Sequence, residues 1–190
     1  MKSMSLLTRA ADLRNDSVSS LQSSTNTRDV DRLFSVVESI YHIRDLDTLL
    51  ERILLEARPF MNADAGTLYL EAKGRLFFNY TQNDTLFTRD SAERKHVYAS
   101  NSLVIDRSSL AGYVASSGEA LLIDDVYDIR SSVSYSFNPA FDKKSSYRTK
   151  SMLIVPLLTR SRIAVGVLQL INAQTDAGEV VPFSFKDRLY

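Results

Sequence analysis

Two short stretches of the sequence have the residue types needed to bind a polar or anionic small molecule. Residues 108–111, Ser-Ser-Leu-Ala, open a run with the composition of a short helix, which Gly118 ends. The first N–H groups of a helix lack backbone partners and can donate to a phosphate, and small residues beside them let a ligand approach. Gln169 lies inside the apolar run 165–171, where a buried amide without a partner costs about 1–3 kcal/mol. We therefore expect the Gln169 amide to meet a ligand, the backbone or water.

A long segment between two strand-like runs, residues 124–148, could cover such a ligand. It is rich in serine and contains Asp142, so it offers many hydrogen-bond donors and acceptors. Each of these features also has a purely structural explanation. Ser108, the expected N-cap, or Ser109 can serve only to cap the helix. Gln169 can satisfy the loop above it, and Asp142 can be a solvated or helix-capping acid.

Residues that commonly carry catalysis or bind metals are missing or unsuitably spaced. The chain has no cysteine, which excludes disulfides, thiolate metal sites, cysteine nucleophiles and cysteine-linked chromophores. The acids Asp124, Asp125 and Asp128 lack the spacing and the glycine of an EF-hand, so we interpret them as turn and cap residues. His42 and His96 are isolated, and a lone histidine is more often structural or solvated than a haem ligand. Since no Gly-x-Ser-x-Gly string occurs either, we predict no catalytic residue, no metal site and no cofactor.

The charge balance and the apolar runs narrow the class of partner. Lysine and arginine number 23, aspartate and glutamate also 23, and no basic stripe occurs, so we expect no nucleic-acid partner. The longest apolar runs, such as 152–158, fall far below the roughly 20 residues that span a bilayer. The first 21 residues lack the pattern of a signal peptide. We therefore expect a cytoplasmic protein with no membrane partner.

The spacing of apolar residues predicts the elements that would position these groups. Residues 1–28 are rich in serine and threonine and poor in apolar anchors, which predicts a flexible or helical tether. Three-and-four spacing predicts helices over 29–45 and 46–57, the second capped by Asp45 or Asp47 and limited by Pro59.

Runs of strand composition predict six extended segments, with a turn at Lys73-Gly74 between the first two. These are 65–71, 76–82, 97–106, 120–123, 151–159 and 163–173. Pro156 cannot donate to a ladder and is expected at a bulge or a free edge. A further short helix is expected near Pro139, and the whole predicts an α+β fold with an antiparallel sheet.

Several local strings occur in an order that is typical of one family. They are Asn-Ala-Asp-Ala-Gly-Thr-Leu-Tyr-Leu at 62–70, Ser-Leu-Ala-Gly-Tyr-Val-Ala at 109–115, Phe-Asn-Pro at 137–139, Tyr-Arg-Thr at 147–149 and Gly-Val-Leu-Gln-Leu-Ile-Asn at 166–172. From about residue 29 onward, the chain resembles the GAF domains of cyclic-nucleotide phosphodiesterases, adenylate cyclases and bacterial signalling proteins. The resemblance implies an antiparallel sheet of about six strands, with flanking helices on one face and a ligand pocket under a loop and helix lid on the other. The GAF domain would cover 29–190 and be truncated in its C-terminal helix.

A signature of the cyclic-nucleotide-binding branch is matched only in part. Asn172, Phe183 and Asp187 agree with it, whereas Ala173 replaces its lysine and Arg188 replaces its glutamate. The ion pair between that lysine and the aspartate therefore cannot form in this chain.

The resemblance also implies eight positions that contact a ligand. The residues beside the phosphate and ribose would be Leu110 and Ala111. Those on the lid would be Asn138, Asp142, Ser145 and Thr149. Those on the sheet floor would be Thr67 and Gln169.

The function implied by the resemblance is that of a non-catalytic regulatory or sensor domain of a signalling protein. A small molecule, with the cyclic nucleotides cAMP or cGMP as first candidates, would order the lid and bias an attached output domain. The alternative is a dimerisation and linker module with a vestigial pocket. In either case we expect a parallel homodimer through the helix at 29–45.

Overall fold

The computed structural model describes residues 45–86 and 102–184, together with Asp31 and Ser35, both of which are helical. The chain divides into two compact units, Met1–Ile43 with Ser184–Tyr190, and Arg44–Phe183. The architecture reported below is that of the second unit. The predicted tether over 1–28, most of the predicted helix over 29–45, both histidines, Asp187 and Arg188 lie outside the described residues. Within the described part of the chain, no helix is long and apolar enough to cross a membrane.

Helix α1 covers Leu46–Phe60 and begins where the sequence predicts. Asp45 is its N-cap, and its side chain accepts a hydrogen bond from the backbone N–H of Thr48 at 2.9 Å. This bond lowers the pKa of the Asp45 carboxyl. Pro59 lies in the last turn, and the helix ends one residue later. Proline therefore marks the end of the helix, as expected.

One antiparallel sheet contains seven strands within the described residues, in the spatial order β3-β2-β1-β6-β5-β4, with β7 added to the end of β6. The strands are β1 at Ala63–Ala72, β2 at Arg75–Asn83, β3 at Ser102–Val104, β4 at Leu121–Ile123, β5 at Met152–Leu158, β6 at Ala164–Gln174 and β7 at Val180–Val181. The α+β class and the antiparallel sheet are confirmed. The two-residue strand β7 was not predicted.

Two local features of the sheet agree with their sequence signals. Lys73 and Gly74 have φ values of 53° and 74°, and two successive residues with positive φ match a tight hairpin between twisted strands. Pro156 lies on β5 opposite Val167, beyond the part of β5 that pairs with β4. Its missing N–H therefore faces the free edge of the strand.

Helices cover the two faces of the sheet. Helix α1 packs its fully buried Leu54 into a cluster with Leu153 and Leu170. Helix α2, Leu110–Ser117, packs Val114 on the opposite face in a cluster with Ile154. Because successive side chains of a strand alternate between the faces, the face that holds α2 also presents Thr67 and Tyr69 of β1 and Val167 and Gln169 of β6.

Helix α2 ends as predicted but begins with a different cap. Gly118 closes it with a φ of 70°. The N-cap is Ser109, whose Oγ accepts from the N–H of Gly112 at 3.1 Å, so the expected cap at Ser108 is wrong. Ser108 instead donates its hydroxyl and its N–H to Asp106, which lowers the pKa of that carboxyl.

The segment between β4 and β5 contains two short helical stretches. A 3-10 helix covers Val126–Asp128, and α3 covers Ala140–Ser145, directly after Pro139 as expected. Asp125 caps the 3-10 helix by accepting from the N–H of Tyr127 at 2.9 Å. The cap role predicted for this acid is confirmed.

Candidate ligand-binding site

A cavity of about 460 Å³ lies between the α2-bearing face of the sheet and residues 137–149, which we call the lid. Strands β1, β2 and β6 contribute to the floor, the first turn of α2 forms one wall, and α3 belongs to the cover. Seven of the eight residues expected to contact a ligand line this cavity. They are Thr67, Leu110, Ala111, Asn138, Asp142, Thr149 and Gln169.

A row of polar side chains crosses the floor on three neighbouring strands. Thr67 on β1 lies opposite Thr81 on β2 and opposite Gln169 on β6. The Thr81 hydroxyl oxygen is buried and has no hydrogen-bond partner. Gln169 is 8% exposed, and the described residues provide no hydrogen bond to its amide. The floor therefore turns unused donors and acceptors toward the cavity, and Thr81 is a lining residue that was not predicted.

The first turn of α2 meets the cavity through Leu110 and Ala111, both buried. The Ser109 hydroxyl already serves the N–H of Gly112. The N–H groups of Leu110 and Ala111 belong to the first turn, where a helix supplies no backbone acceptor. Gly112 holds the turn close to its surroundings, since a Cβ there would lie 2.4 Å from the Val104 carbonyl oxygen.

Asp142 holds the lid together by accepting three hydrogen bonds from it and its surroundings. Its carboxylate accepts from the Tyr127 hydroxyl at 2.8 Å, from the Thr149 N–H at 2.8 Å and from the Thr149 hydroxyl at 2.7 Å. Asp142 is only 6% exposed. Partial burial and the hydrogen bond to Asp142 raise the pKa of the Tyr127 hydroxyl. Asp142 and Thr149 line the cavity as expected, but their polar atoms satisfy one another.

Two further lid residues make local hydrogen bonds at the two ends of α3. Asn138 lines the cavity, and its Oδ1 accepts from the N–H of Ala140 at 3.0 Å. Ser145 was expected to face the ligand, but the structure does not place it on the lining. Its hydroxyl donates to the Phe141 carbonyl at 2.8 Å and accepts from the Tyr147 N–H at 3.3 Å. A serine in the last turn of a helix makes such local bonds readily.

The end of the lid is fastened by Asn172, one of the signature residues. Its Oδ1 accepts from the N–H of Lys150 at 2.7 Å, and its Nδ2 donates to the Arg148 carbonyl at 2.9 Å. Asn172 has a φ of 56° and is 3% exposed. Its role in this chain is to hold the lid against β6.

A second concavity of about 530 Å³ is lined mainly by residues 126–139, which precede and begin the lid, and it is more open. It contains none of the eight predicted residues and shares Phe137 with the inner cavity. In the described part of the chain, no group of three or more His, Asp or Glu side chains could hold a metal ion.

Comparison with known proteins agrees with the fold. The sequence model of the GAF domain matches residues 45–188. The chain is 31% identical over 147 residues to the probable 3′,5′-cyclic phosphodiesterase pde-5 of Caenorhabditis elegans, covering 74% of this chain and 19% of that protein. It is 28% identical over 153 residues to the dual 3′,5′-cyclic-AMP and -GMP phosphodiesterase 11 of Drosophila melanogaster, covering 74% of this chain and 10% of that protein.

A solved structure shares the architecture at low sequence identity. The GAF domain of a phosphoenolpyruvate-protein phosphotransferase from Coxiella burnetii superposes with a TM-score of 0.64 at 14% identity, covering 86% of this chain and 85% of that one. The chain spans between a tenth and a fifth of the length of the two phosphodiesterases it matches. The match to the family model over most of the chain, together with the fold, establishes that the protein belongs to the GAF domain family.

Proposed function

We propose that this domain is a regulatory small-molecule sensor whose ligand is a purine cyclic nucleotide, cAMP or cGMP, and which controls an attached output domain. The observation that carries the proposal is the polar floor of the cavity, where Thr81 and Gln169 have no hydrogen-bond partner in the described residues. Buried polar groups are normally paired, so the buried Thr81 hydroxyl, with the Gln169 amide on the neighbouring part of the floor, favours a ligand over an empty core. The similarity to cyclic-nucleotide phosphodiesterases supports the ligand class. The cytoplasmic location stays a prediction.

The size and lining of the cavity suit a nucleotide. Small-molecule sites measure about 300–1,000 Å³ and are mostly apolar with a few placed polar groups. Tyr69, Phe78, Met152 and Ile171 supply apolar surface. A planar base could lie against such surface while its polar edge reaches the floor.

The wall and the lid offer groups for a phosphate. Leu110 and Ala111 line the cavity at the start of α2, where the first N–H groups lack backbone acceptors and the helix dipole favours an anion. Lys144 also lines the cavity and is exposed, so its ammonium can approach the same anion without a buried charge. No catalytic group is needed for such binding, and we propose none.

The direct test combines two measurements on the purified protein. Mass spectrometry after denaturation identifies a co-purified small molecule, and thermal unfolding is followed with added cAMP or cGMP. A ligand present at a hundred times its Kd stabilises a fold by about 2.7 kcal/mol, so a raised Tm is expected with at least one of the two. Absence of both a Tm shift and a co-purified molecule would contradict the proposal.

Such a negative result would favour the alternative, a dimerisation and linker module with a vestigial pocket. The replacement of the signature lysine and glutamate by Ala173 and Arg188 is the observation in its favour. The homodimer through residues 29–45 is compatible with both functions and stays a prediction.

Replacing Gln169 with leucine is expected to leave the free energy of unfolding of the ligand-free domain unchanged or higher. The reason is that an amide with no hydrogen-bond partner in the described residues is exchanged for an apolar side chain of similar size. Binding of the nucleotide should weaken about tenfold, the equivalent of one lost hydrogen bond of about 1.4 kcal/mol. Urea unfolding and calorimetry measure the two effects.

The matched control is Gln82→Leu. The Gln82 Oε1 accepts from Arg58 at 3.0 Å, so the same substitution should destabilise the ligand-free domain. A loss of stability in Gln169→Leu as large as in Gln82→Leu would show that the Gln169 amide serves the fold.

A further inference from the structure

Tyr147, at the end of the lid, joins the cavity wall to a buried polar network. Its ring lines the cavity, and the residue is 6% exposed. Its hydroxyl donates to Asp64 Oδ2 at 2.6 Å and accepts from Asn172 Nδ2 at 3.0 Å. Burial, followed by the hydrogen bond to Asp64, raises the pKa of Tyr147 far above its usual range. The hydroxyl therefore keeps its proton and remains a donor at neutral pH.

Asp64, at the start of β1, carries the network onward to α1. Its carboxylate also accepts from the Thr85 hydroxyl at 2.9 Å. Its backbone carbonyl accepts from Arg58 Nη2 at 2.9 Å, and the same nitrogen pairs with Asp84. Arg58, in the last turn of α1, is 8% exposed. A continuous set of hydrogen bonds thus runs from the cavity wall to the end of α1.

We propose that Tyr147 is a positioning residue that couples the lid to the last turn of α1 through Asp64. The central members of this network, Arg58, Asp64, Tyr147 and Asn172, are buried and hydrogen-bonded to one another or to the adjacent backbone. Such networks lose more than one bond when one member is removed. The lid and the end of α1 should therefore open together. One further consequence rests on the proposed function. A ligand that closes the lid should also make the last turn of α1 open less often, and this coupling needs no movement of the sheet.

Hydrogen–deuterium exchange on the ligand-free domain tests the coupling with two matched variants. Tyr147→Phe and Tyr127→Phe each remove one hydroxyl that donates to a carboxylate, Asp64 in the first case and Asp142 in the second. The lost bond of the buried Tyr147 to a charged group corresponds to about 10- to 100-fold faster local exchange, whereas that of the partly exposed Tyr127 should have a smaller effect. We expect Tyr147→Phe to speed exchange in residues 142–150, at the end of α1 and in residues 84–86. Tyr127→Phe should act on the lid alone.

The exchange of β6 serves as the reference for global opening. Faster exchange of β6 to the same extent, or faster exchange of the lid alone in Tyr147→Phe, would overturn the proposal. If Tyr147→Phe fails to fold, as judged by circular dichroism, Asp64→Asn takes its place with the same expected pattern. Adding cGMP or cAMP to the wild type then tests the regulatory consequence, since bound nucleotide should slow exchange at the end of α1. If neither nucleotide binds, the proposed function fails while the ligand-free exchange pattern still decides the coupling.

Discussion

Replacing Asp142 with alanine is expected to lower the free energy of unfolding by about 3 kcal/mol. The carboxylate accepts from two buried donors of Thr149, its N–H and its hydroxyl, and each would be left unpaired at a cost of about 1–3 kcal/mol. The third donor, the hydroxyl of the partly exposed Tyr127, can turn to water and adds little. The proposed nucleotide binding should fall as well, because the lid loses the contact that fixes its shape.

Urea unfolding of the ligand-free domain measures this effect, with Asp142→Asn as the control. The asparagine keeps the shape and one carbonyl acceptor, so its cost should be about 1 kcal/mol. An alanine variant as stable as the wild type would contradict the prediction and show that the lid bonds contribute nothing to the fold.

Replacing Gly112 with alanine is expected to destabilise the domain by about 3 kcal/mol or more, or to prevent folding. The added Cβ would lie 2.4 Å from the carbonyl oxygen of Val104 and 2.8 Å from that of Asp106. Because these contacts are backbone atoms, no side-chain rotation relieves them, and α2 must move away from β3. That movement would also displace Leu110 and Ala111 from the cavity wall.

The matched control lies at the other end of the same helix. Gly118 has a φ of 70° and open space around the position of its Cβ, so Gly118→Ala carries only the strain of the left-handed conformation, about 1–2 kcal/mol. Urea unfolding of the two variants compares the loss of stability caused by a steric clash at Gly112 with the loss caused by a strained backbone at Gly118. Equal losses of stability would show that the α2–β3 approach is not as tight as the structure indicates.

Signals within a few residues of one another predicted their structure correctly. Asp45 caps α1 because the chain offers the N–H of Thr48 three residues later. Lys73-Gly74 forms the hairpin turn because glycine accepts positive φ readily. Pro156 lies on a free edge because proline has no N–H to give to a neighbouring strand. These features follow from local stereochemistry, so one sequence is enough to predict them.

Features that depend on a competing or distant partner could not be predicted in the same way. Ser108 and Ser109 are equally good caps by type, and Asp106 decides between them by binding Ser108. A regular hairpin would place Tyr80 opposite Thr67, but a register shift between Leu68 and Tyr69 places Thr81 there. No residue type marks that bulge.

The residues of the lid show that distant or competing partners also limited the prediction of the candidate site. Asp142 was expected to face a ligand. Its hydrogen bonds with Tyr127 and Thr149 depend on the path of the chain, which places both residues next to the carboxylate. Serine is a residue type that often contacts ligands, but the Ser145 hydroxyl donates to the carbonyl of Phe141 in the same helix. Tyr147 was predicted only as part of a family string, since its partner Asp64 lies 83 residues away.

The central pairing of the sheet has a consequence for how the domain is made. β1 and β6 are neighbours in space, yet Thr67 and its partner Gln169 are separated by about one hundred residues of chain. Closing such a loop costs entropy before any contact compensates for it, and folds built on non-local pairs form slowly. On the ribosome the β1–β2 hairpin emerges early with one edge unpaired, which is the kind of surface that chaperones cover. The cavity floor is incomplete until β6 has left the exit tunnel, so the proposed ligand could stabilise a nascent chain only after nearly all of residues 45–174 have been synthesised.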